Sequence, residues 1–304
     1  MATPMNSTQF KDIVSPILNV EFDGIYDTGK NQWKEVFDEV KGIERNQHLE
    51  PVLSGFGAAP LLPDGMAVNY DSGQELYMAR YLYNVYGLAF ALTLVMYEDG
   101  DHINLGKIYS QHLANSMLET KETVAANILN RAFNSSYLGG DGVCLSSASH
   151  VGANGLTYSN LLTTAAALSQ TSLEQILIQI KQATDDNGKK INLTPDKLIV
   201  APSNMFQAQV LLKSALRTST ANNDINPIQT SKLKAEPVVL TRLTSNTAWW
   251  IQTDAPKGLQ AMMRRKLTKT MEGDFETDSM RYKATERYAM GWTNPRAVFG
   301  TAGA

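Results

Sequence analysis

LGKIYSQHLANSMLETKETVAANILNRAF, residues 105–133, is the stretch on which the fold turns. Leu105, Ile108, His112, Leu113, Met117, Thr120, Val124, Ile128 and Ala132 recur in steps of three and four, the spacing that lines one side of an α-helix. No proline interrupts the run, and Gly106 is its one glycine. A helix of that length spans about 43 Å and is far longer than the average one. EDGDH (98–102) precedes it and sets carboxylates at the positive end of the helix dipole, and GGDG (139–142) stops it.

Upstream of the helix the composition changes. Gly55, Gly57, Pro60, Pro63, Gly65 and Gly73 punctuate residues 50–74, and ELYMARYLYNVY (75–86) then carries aromatic and β-branched residues on both parities. This predicts two long strands joined by a Pro/Gly-rich tip. A two-stranded ribbon is marginal in water, so its Tyr77, Tyr81 and Tyr83 are expected to lie on a partner. Residues 1–48 hold one short amphipathic candidate, 32–40, where Trp33, Val36, Phe37 and Val40 recur at helical spacing, and are otherwise expected to be weakly structured. With Pro4, Pro16, Gly24 and Gly29 around it, this region reads as an arm that packs on another surface.

The longest apolar run, YGLAFALTLVMY (86–97), would rise only ~18 Å as a helix against a hydrocarbon core of ~30 Å. It reads as a buried strand. The polar start of the chain has no apolar core of a signal peptide, so a cytosol-like compartment and no membrane are expected.

Downstream, residues 158–216 read as α/β. Ser159 can cap a helix through Leu168, and Ser172 with Gln175 has the form of a capping box before Ile176 and Ile180. Residues 198–201 form a short strand, and a further helix runs to Leu216. Residues 217–230 are polar and loop-like. From Glu236 on, candidate strands are 237–243, 247–253, 259–265, 267–275 and 282–292.

The chain has 304 residues, 27 Lys+Arg against 30 Asp+Glu, and a formal net charge of -3. That balance argues against a protein built chiefly to grip phosphates. A single cysteine, Cys144, excludes an internal disulfide framework. Cys144 and His150 could be read as nucleophile and base of a cytosolic Cys-dependent hydrolase, but the residues carry no signature of that chemistry. His48, His102, His112 and His150 are scattered without metal-ligand spacing, and 98–102 lacks the spaced ligands of an EF-hand loop. GGDG lacks the Lys-Ser/Thr of a phosphate loop. The basic triplet Arg264-Arg265-Lys266 reads as an interface charge. No catalytic, cofactor or metal site is expected.

The order of parts is an arm, an aromatic ribbon, one very long helix, an α/β block and a β finish. It resembles the major capsid proteins of tailed bacteriophages, with the Hong Kong 97-type fold. The resemblance is carried by YGLAF (86–90) with MYED (96–99), by LTPDKLIVAP (193–202), and by RYKATERY (281–288) with GWTNPR (291–296). It implies an α+β fold with an N-arm (1–49), an extended hairpin or E-loop (50–87) and a P domain (88–138 and 256–294). The P domain would hold the spine helix 105–133, and an A domain would span 139–255 and 295–304.

The function implied is a shell subunit that assembles with itself into hexamers and pentamers around double-stranded DNA, without binding that DNA specifically. Assembly in the host cytoplasm, incorporation into a virion and a portal are implied with it. Residues 50–100 contain no lysine, so the covalent cross-link of some members is not expected, and non-covalent forces or a cement protein would hold the shell. Only some fifty residues precede the ribbon, which implies a separate scaffolding protein. Tyr77, Arg80, Tyr81, Tyr83, Trp33, Phe37, Arg264 and Arg265 are the expected inter-subunit contacts. An encapsulin-type nanocompartment shares this architecture and is the alternative.

Overall fold

Val14, Leu18 and Phe22 stand four apart and are fully buried, and that stripe makes a helix of the arm's first part. The computed structural model describes residues 7–41, 45–93, 95–96, 102–217, 224–274 and 279–304. In chain order the elements begin with α1 (Ser7–Tyr26), a 3-10 turn (Gln32–Glu35), β1 (Asp38–Val40) and β2 (Gln47–Leu53). Next come β3 (Glu75–Leu82), β4 (Asn84–Thr93), α2 (His102–Asn130), β5 (His150–Val151), β6 (Thr157–Tyr158) and α3 (Gln170–Gln182). The chain closes with β7 (Pro195–Val200), α4 (Met205–Lys213), β8 (Val238–Val239), β9 (Trp249–Thr253), β10 (Leu259–Asp274), β11 (Ser279–Trp292) and β12 (Val298–Thr301).

Two four-stranded sheets organise the chain. One has the order β1-β10-β11-β4, antiparallel except for the parallel β1–β10 pair. Tyr282, Ala284 and Met271 of this sheet share a core with α1 and with Leu113, Ala114 and Met117 of α2. The other sheet has the order β12-β9-β7-β8, and its Leu198, Val200, Trp249, Ile251 and Phe299 pack with α3 and α4. Trp33, Val36 and Phe37 join Leu129, Trp250, Leu259 and Ala261 in a third core between the sheets. The β2–β3 hairpin is antiparallel, with Glu50 opposite Ala79.

The long helix forms, displaced by three residues from 105–133, and its buried side keeps Leu113 and Met117 of the expected stripe but not all of it. Ile108 and Tyr109 are exposed, whereas Gly106, Ser110, Ala114, Lys121, Glu122 and Ala125 are buried. Close packing explains the change. A Cβ on Gly106 would come within 3.2 Å of Leu18, and Ser110 Oγ donates to the Leu18 carbonyl at 2.8 Å. Small residues admit α1, and the two charged ones are compensated. Lys121 pairs with Glu286 at 2.6 Å, and Glu122 Oε2 accepts the Trp33 N–H at 3.1 Å. Burial pushes the Glu122 carboxyl up from its ordinary value.

Other expectations are corrected. The arm is not weakly structured, since α1 carries Pro16 inside a helix of 20 residues, and the helical spacing at 32–40 becomes a 3-10 turn followed by β1 because the segment packs between the sheets. A proline costs one ladder hydrogen bond, which the buried stripe offsets. Residues 159–168 are not helical. Asn160 Nδ2 instead donates to the carbonyls of Leu145, Pro295 and Val298, which ties this stretch down as an extended crossing. The capping box of α3 is Ser169 with Ser172, one turn earlier than read. The strands expected at 259–265 and 267–275 are one strand, β10, with register irregularities between Met263 and Thr268. β4 forms but is not buried: it is an edge strand with Val85 and Leu88 exposed. EDGD (98–101), and with it the calcium reading, lies outside the described residues, as do 218–223 of the expected loop.

Candidate assembly surfaces

The base of the β2–β3 hairpin is clamped to its own subunit. Tyr81 is 6% exposed, and its hydroxyl meets Thr293 Oγ1, which donates to Glu50 Oε2 at 2.6 Å. Lys257 Nζ holds the other Glu50 oxygen at 3.0 Å. Tyr77 Oη donates to the Thr293 carbonyl at 3.0 Å. The Tyr81 ring lies where a side chain at position 291 would stand: a Cβ on Gly291 would fall 2.6 Å from it. Tyr83 packs with Ala79, Met262 and Ala289. Burial pushes the hydroxyl pKa of Tyr77, Tyr81 and Tyr83 above the usual tyrosine value, with Arg264 and Arg287 opposing that rise at Tyr83.

These positions correct the expectation of uncovered tyrosines. Tyr81 and Tyr83 are covered by β10 and β11 of the same chain, and Trp33 and Phe37 belong to the core between the sheets. Four of the residues assigned to inter-subunit contact are thus already buried in the subunit. Arg80 remains exposed and donates from Nε to Gln47 Oε1 at 2.8 Å. Arg265 is exposed and donates to Thr285 Oγ1 at 3.1 Å, and Arg264 is half-buried beside Tyr83.

An uncovered apolar surface lies farther along the hairpin. Residues 54–74 have no regular structure, and Phe56, Leu61, Leu62, Met66, Val68 and Tyr70 in them are all exposed, Tyr70 completely. The segment is nonetheless shaped. Asp71 accepts the amides of Gly57 (2.6 Å) and Ser72 (2.9 Å), and Ser54 pairs with Gln74 through two hydrogen bonds. Asn187 Nδ2 and Lys189 Nζ reach the Gly55 and Phe56 carbonyls. The signal was in the sequence: a connection longer than about 15 residues without structure of its own is commonly a binding loop.

Around Cys144 and His150 the geometry is structural. His150 is fully buried, with Nδ1 2.6 Å from Asp141 Oδ2 and Nε2 3.1 Å from Asn160 Oδ1. Both ring nitrogens are engaged, and Cys144 Sγ donates to the Ser146 carbonyl at 3.4 Å. Burial raises the thiol pKa, the wrong direction for a nucleophile. Nearby, Arg296 pairs with Asp186 at 2.8 Å and lies over the Tyr158 ring at 3.5 Å. Among the described residues no three His, Cys, Asp or Glu side chains gather as a metal site, and no helix is long and apolar enough to cross a membrane.

The arrangement is that of a building block, and the comparisons with known proteins agree. The profile of a family described as phage capsid protein matches residues 84–300. The chain therefore belongs to the phage capsid protein family, and it is a structural, non-enzymatic capsid component. No curated protein sequence matches it. Among solved structures, the mature capsid of bacteriophage PhiM1 superposes with a TM-score of 0.55 at 10% identity, over 88% of this chain and 86% of that one. A chain from Mycobacterium phage Che8 gives 0.52 at 14%, over 90% and 93%. The procapsid of bacteriophage JBD30 gives 0.52 at 12%, over 98% and 76%. At these identities the likeness is one of fold: this is the α+β phage major-capsid fold.

Proposed function

We propose that this protein is the major head subunit of a tailed phage, assembling into hexamers and pentamers that enclose double-stranded DNA. One observation carries the reading: six large apolar side chains on residues 54–74 stay in water while the hairpin's base is locked to its own subunit. A loop held at one end and greasy along its length is suited to cover a neighbour. Each such side chain contributes about 1.5–3 kcal/mol when fully buried, before ordering costs.

On this reading residues 54–74 with β2 and β3 are the E-loop, and α2 with the β1-β10-β11-β4 sheet is the P domain. The β12-β9-β7-β8 sheet with α3 and α4 is the A domain. Its partners would be further copies, a scaffolding protein and a portal. The absence of lysine from 50–100 leaves non-covalent contacts or a cement protein to hold the shell. The family match supports a viral shell over an enzyme-loaded compartment.

Negative-stain microscopy and light scattering of the purified chain, alone and with the scaffold from the same genome, are expected to reveal rings or shells. A monodisperse monomer under both conditions would count against the reading.

A further inference from the structure

Asn-Gly occurs twice in the sequence, at 154–155 and 187–188, and the fold brings both pairs to the root of the hairpin connection. The Ala153 amide donates to the Asp186 carbonyl at 2.8 Å, so the two turns that carry them lie against each other. Gly155 takes φ +77° and Gly188 φ +79°, a region that side chains disfavour, so each turn calls for its glycine. One asparagine then reaches each side of the root. Gln74 Nε2 donates to Asn154 Oδ1 at 3.4 Å, and Asn187 Nδ2 donates to the Gly55 carbonyl. The two sides meet there, where the Ser54 amide donates to the Gln74 carbonyl at 2.8 Å.

The two asparagines play opposite parts. Asn154 accepts, a role that a carboxylate would also fill, whereas Asn187 donates, which a carboxylate cannot do. The 185–189 turn does not depend on the Asn187 side chain. Asp185 Oδ1 accepts the amides of Asn187 and Lys189, each at 2.9 Å, and the Gly188 amide closes onto the Asp185 carbonyl at 3.1 Å. Asn187 is half-buried and Gly188 exposed, so water reaches the pair.

We propose that Asn187 is a site of spontaneous deamidation, and that the reaction releases the root of the connection from the 185–189 turn. Once the hydrogen bond from Gly188 to Asp185 opens, the Gly188 nitrogen attacks Asn187 Cγ, with no side chain on glycine to hinder the approach. The new C–N bond closes a succinimide ring. The Cγ–Nδ2 bond breaks, and the amide proton of Gly188 leaves with Nδ2 as ammonia. Water then opens the ring to aspartate or isoaspartate, and nothing is oxidised or reduced. The product has no proton to give and turns a negative charge on the Gly55 carbonyl, so attraction becomes repulsion. Lys189 Nζ, bonded to the Phe56 carbonyl, stays as the tether from this turn. The chemistry belongs to the single subunit and needs no second copy, so it stands apart from the assembly reading.

The test incubates the full chain at mildly alkaline pH. Tryptic peptide 182–189 is weighed at intervals, hydrogen exchange is read over residues 53–57, and circular dichroism is the folding control. The parent is expected to show the mass gain of an amide turned into an acid, with exchange at the root rising in step to about tenfold at full conversion. Freshly prepared N187D should begin at that raised exchange, and N187Q should hold both its mass and its exchange throughout. N154D should exchange like the parent at the root. A peptide of constant mass overturns the proposal, as does a mass gain without faster exchange, or an N187D chain that exchanges like the parent. Equal loosening by N154D would assign the effect to added charge rather than to the lost donor, and overturns it as well.

Discussion

Lys121 and Glu286 join α2 to β11 with side chains only 8% and 2% exposed, and Tyr26 of α1 donates to the same carboxylate at 3.0 Å. A lysine in the middle of a helix normally reads as solvent-facing, and nothing in its spacing announces burial. Its partner lies 165 residues away along the chain, so the pair exists only once the sheet and helix have met. Breaking the pair leaves a buried charge alone, which typically costs 3–5 kcal/mol. Lys121→Met is expected to destabilise the subunit by about that amount in urea titrations. Lys121→Met combined with Glu286→Leu should cost less than Lys121→Met by itself. Equal or larger loss in the double variant would mean that the pair's worth lies in its packing rather than in its charges.

At the scale of elements, the hairpin is two regions with opposite roles. Its base is core: Tyr81 fits over Gly291, and a Cβ on Gly140 would meet the backbone of Met78 and Ala79 at 2.9 Å. Its connection is surface. Tyr81→Asp should therefore destabilise the isolated subunit by about 3 kcal/mol or more, since a ring is lost from a filled site and a charge enters it. Tyr70→Asp, at a completely exposed side chain, should leave the melting of the isolated subunit unchanged and weaken assembly. Thermal melts by circular dichroism of both variants decide the matter. A Tyr81→Asp subunit that melts like the parent would mean that the base is not part of the fold's core.

For the whole molecule, tyrosines tie the cores together. Tyr26, Tyr282 and Tyr288 lie around the α1–α2–β11 core, and Tyr77, Tyr81 and Tyr158 lie around the hairpin base and the Arg296 cluster. Burial raises the pKa of every one of them, Tyr282 to about 12. A tyrosine whose folded pKa exceeds its unfolded value of about 10 contributes stability that is complete below pH 10. That stability falls as pH climbs from there toward and past 12, because the unfolded chain loses its phenolic protons first. The phenolate absorbance of these six rings, taken as the difference between the parent chain and its Tyr→Phe variants, should change together with far-ultraviolet dichroism between pH 9 and 13. Ionisation of these rings well before the dichroism falls would show that they are accessible in the folded chain.

Much was legible from local pattern alone: the long helix, a hairpin with a Pro/Gly-rich connection, strands near 249–253 and 259–292, and an order of parts whose resemblance to a known family implied the fold. Those features follow from short-range spacing and from glycine and proline placement, which one chain displays without help. What spacing did not disclose is which face each element turns inward. Ile108 is exposed and Ser110 buried on α2, Leu88 is exposed on β4, and Tyr81 is covered by β11. Each outcome depends on a neighbour distant in sequence, through a close approach at a small residue or a partner for a buried charge. Local sequence therefore determined the parts and their order, and tertiary packing decided which apolar groups the subunit keeps for itself and which it leaves in water.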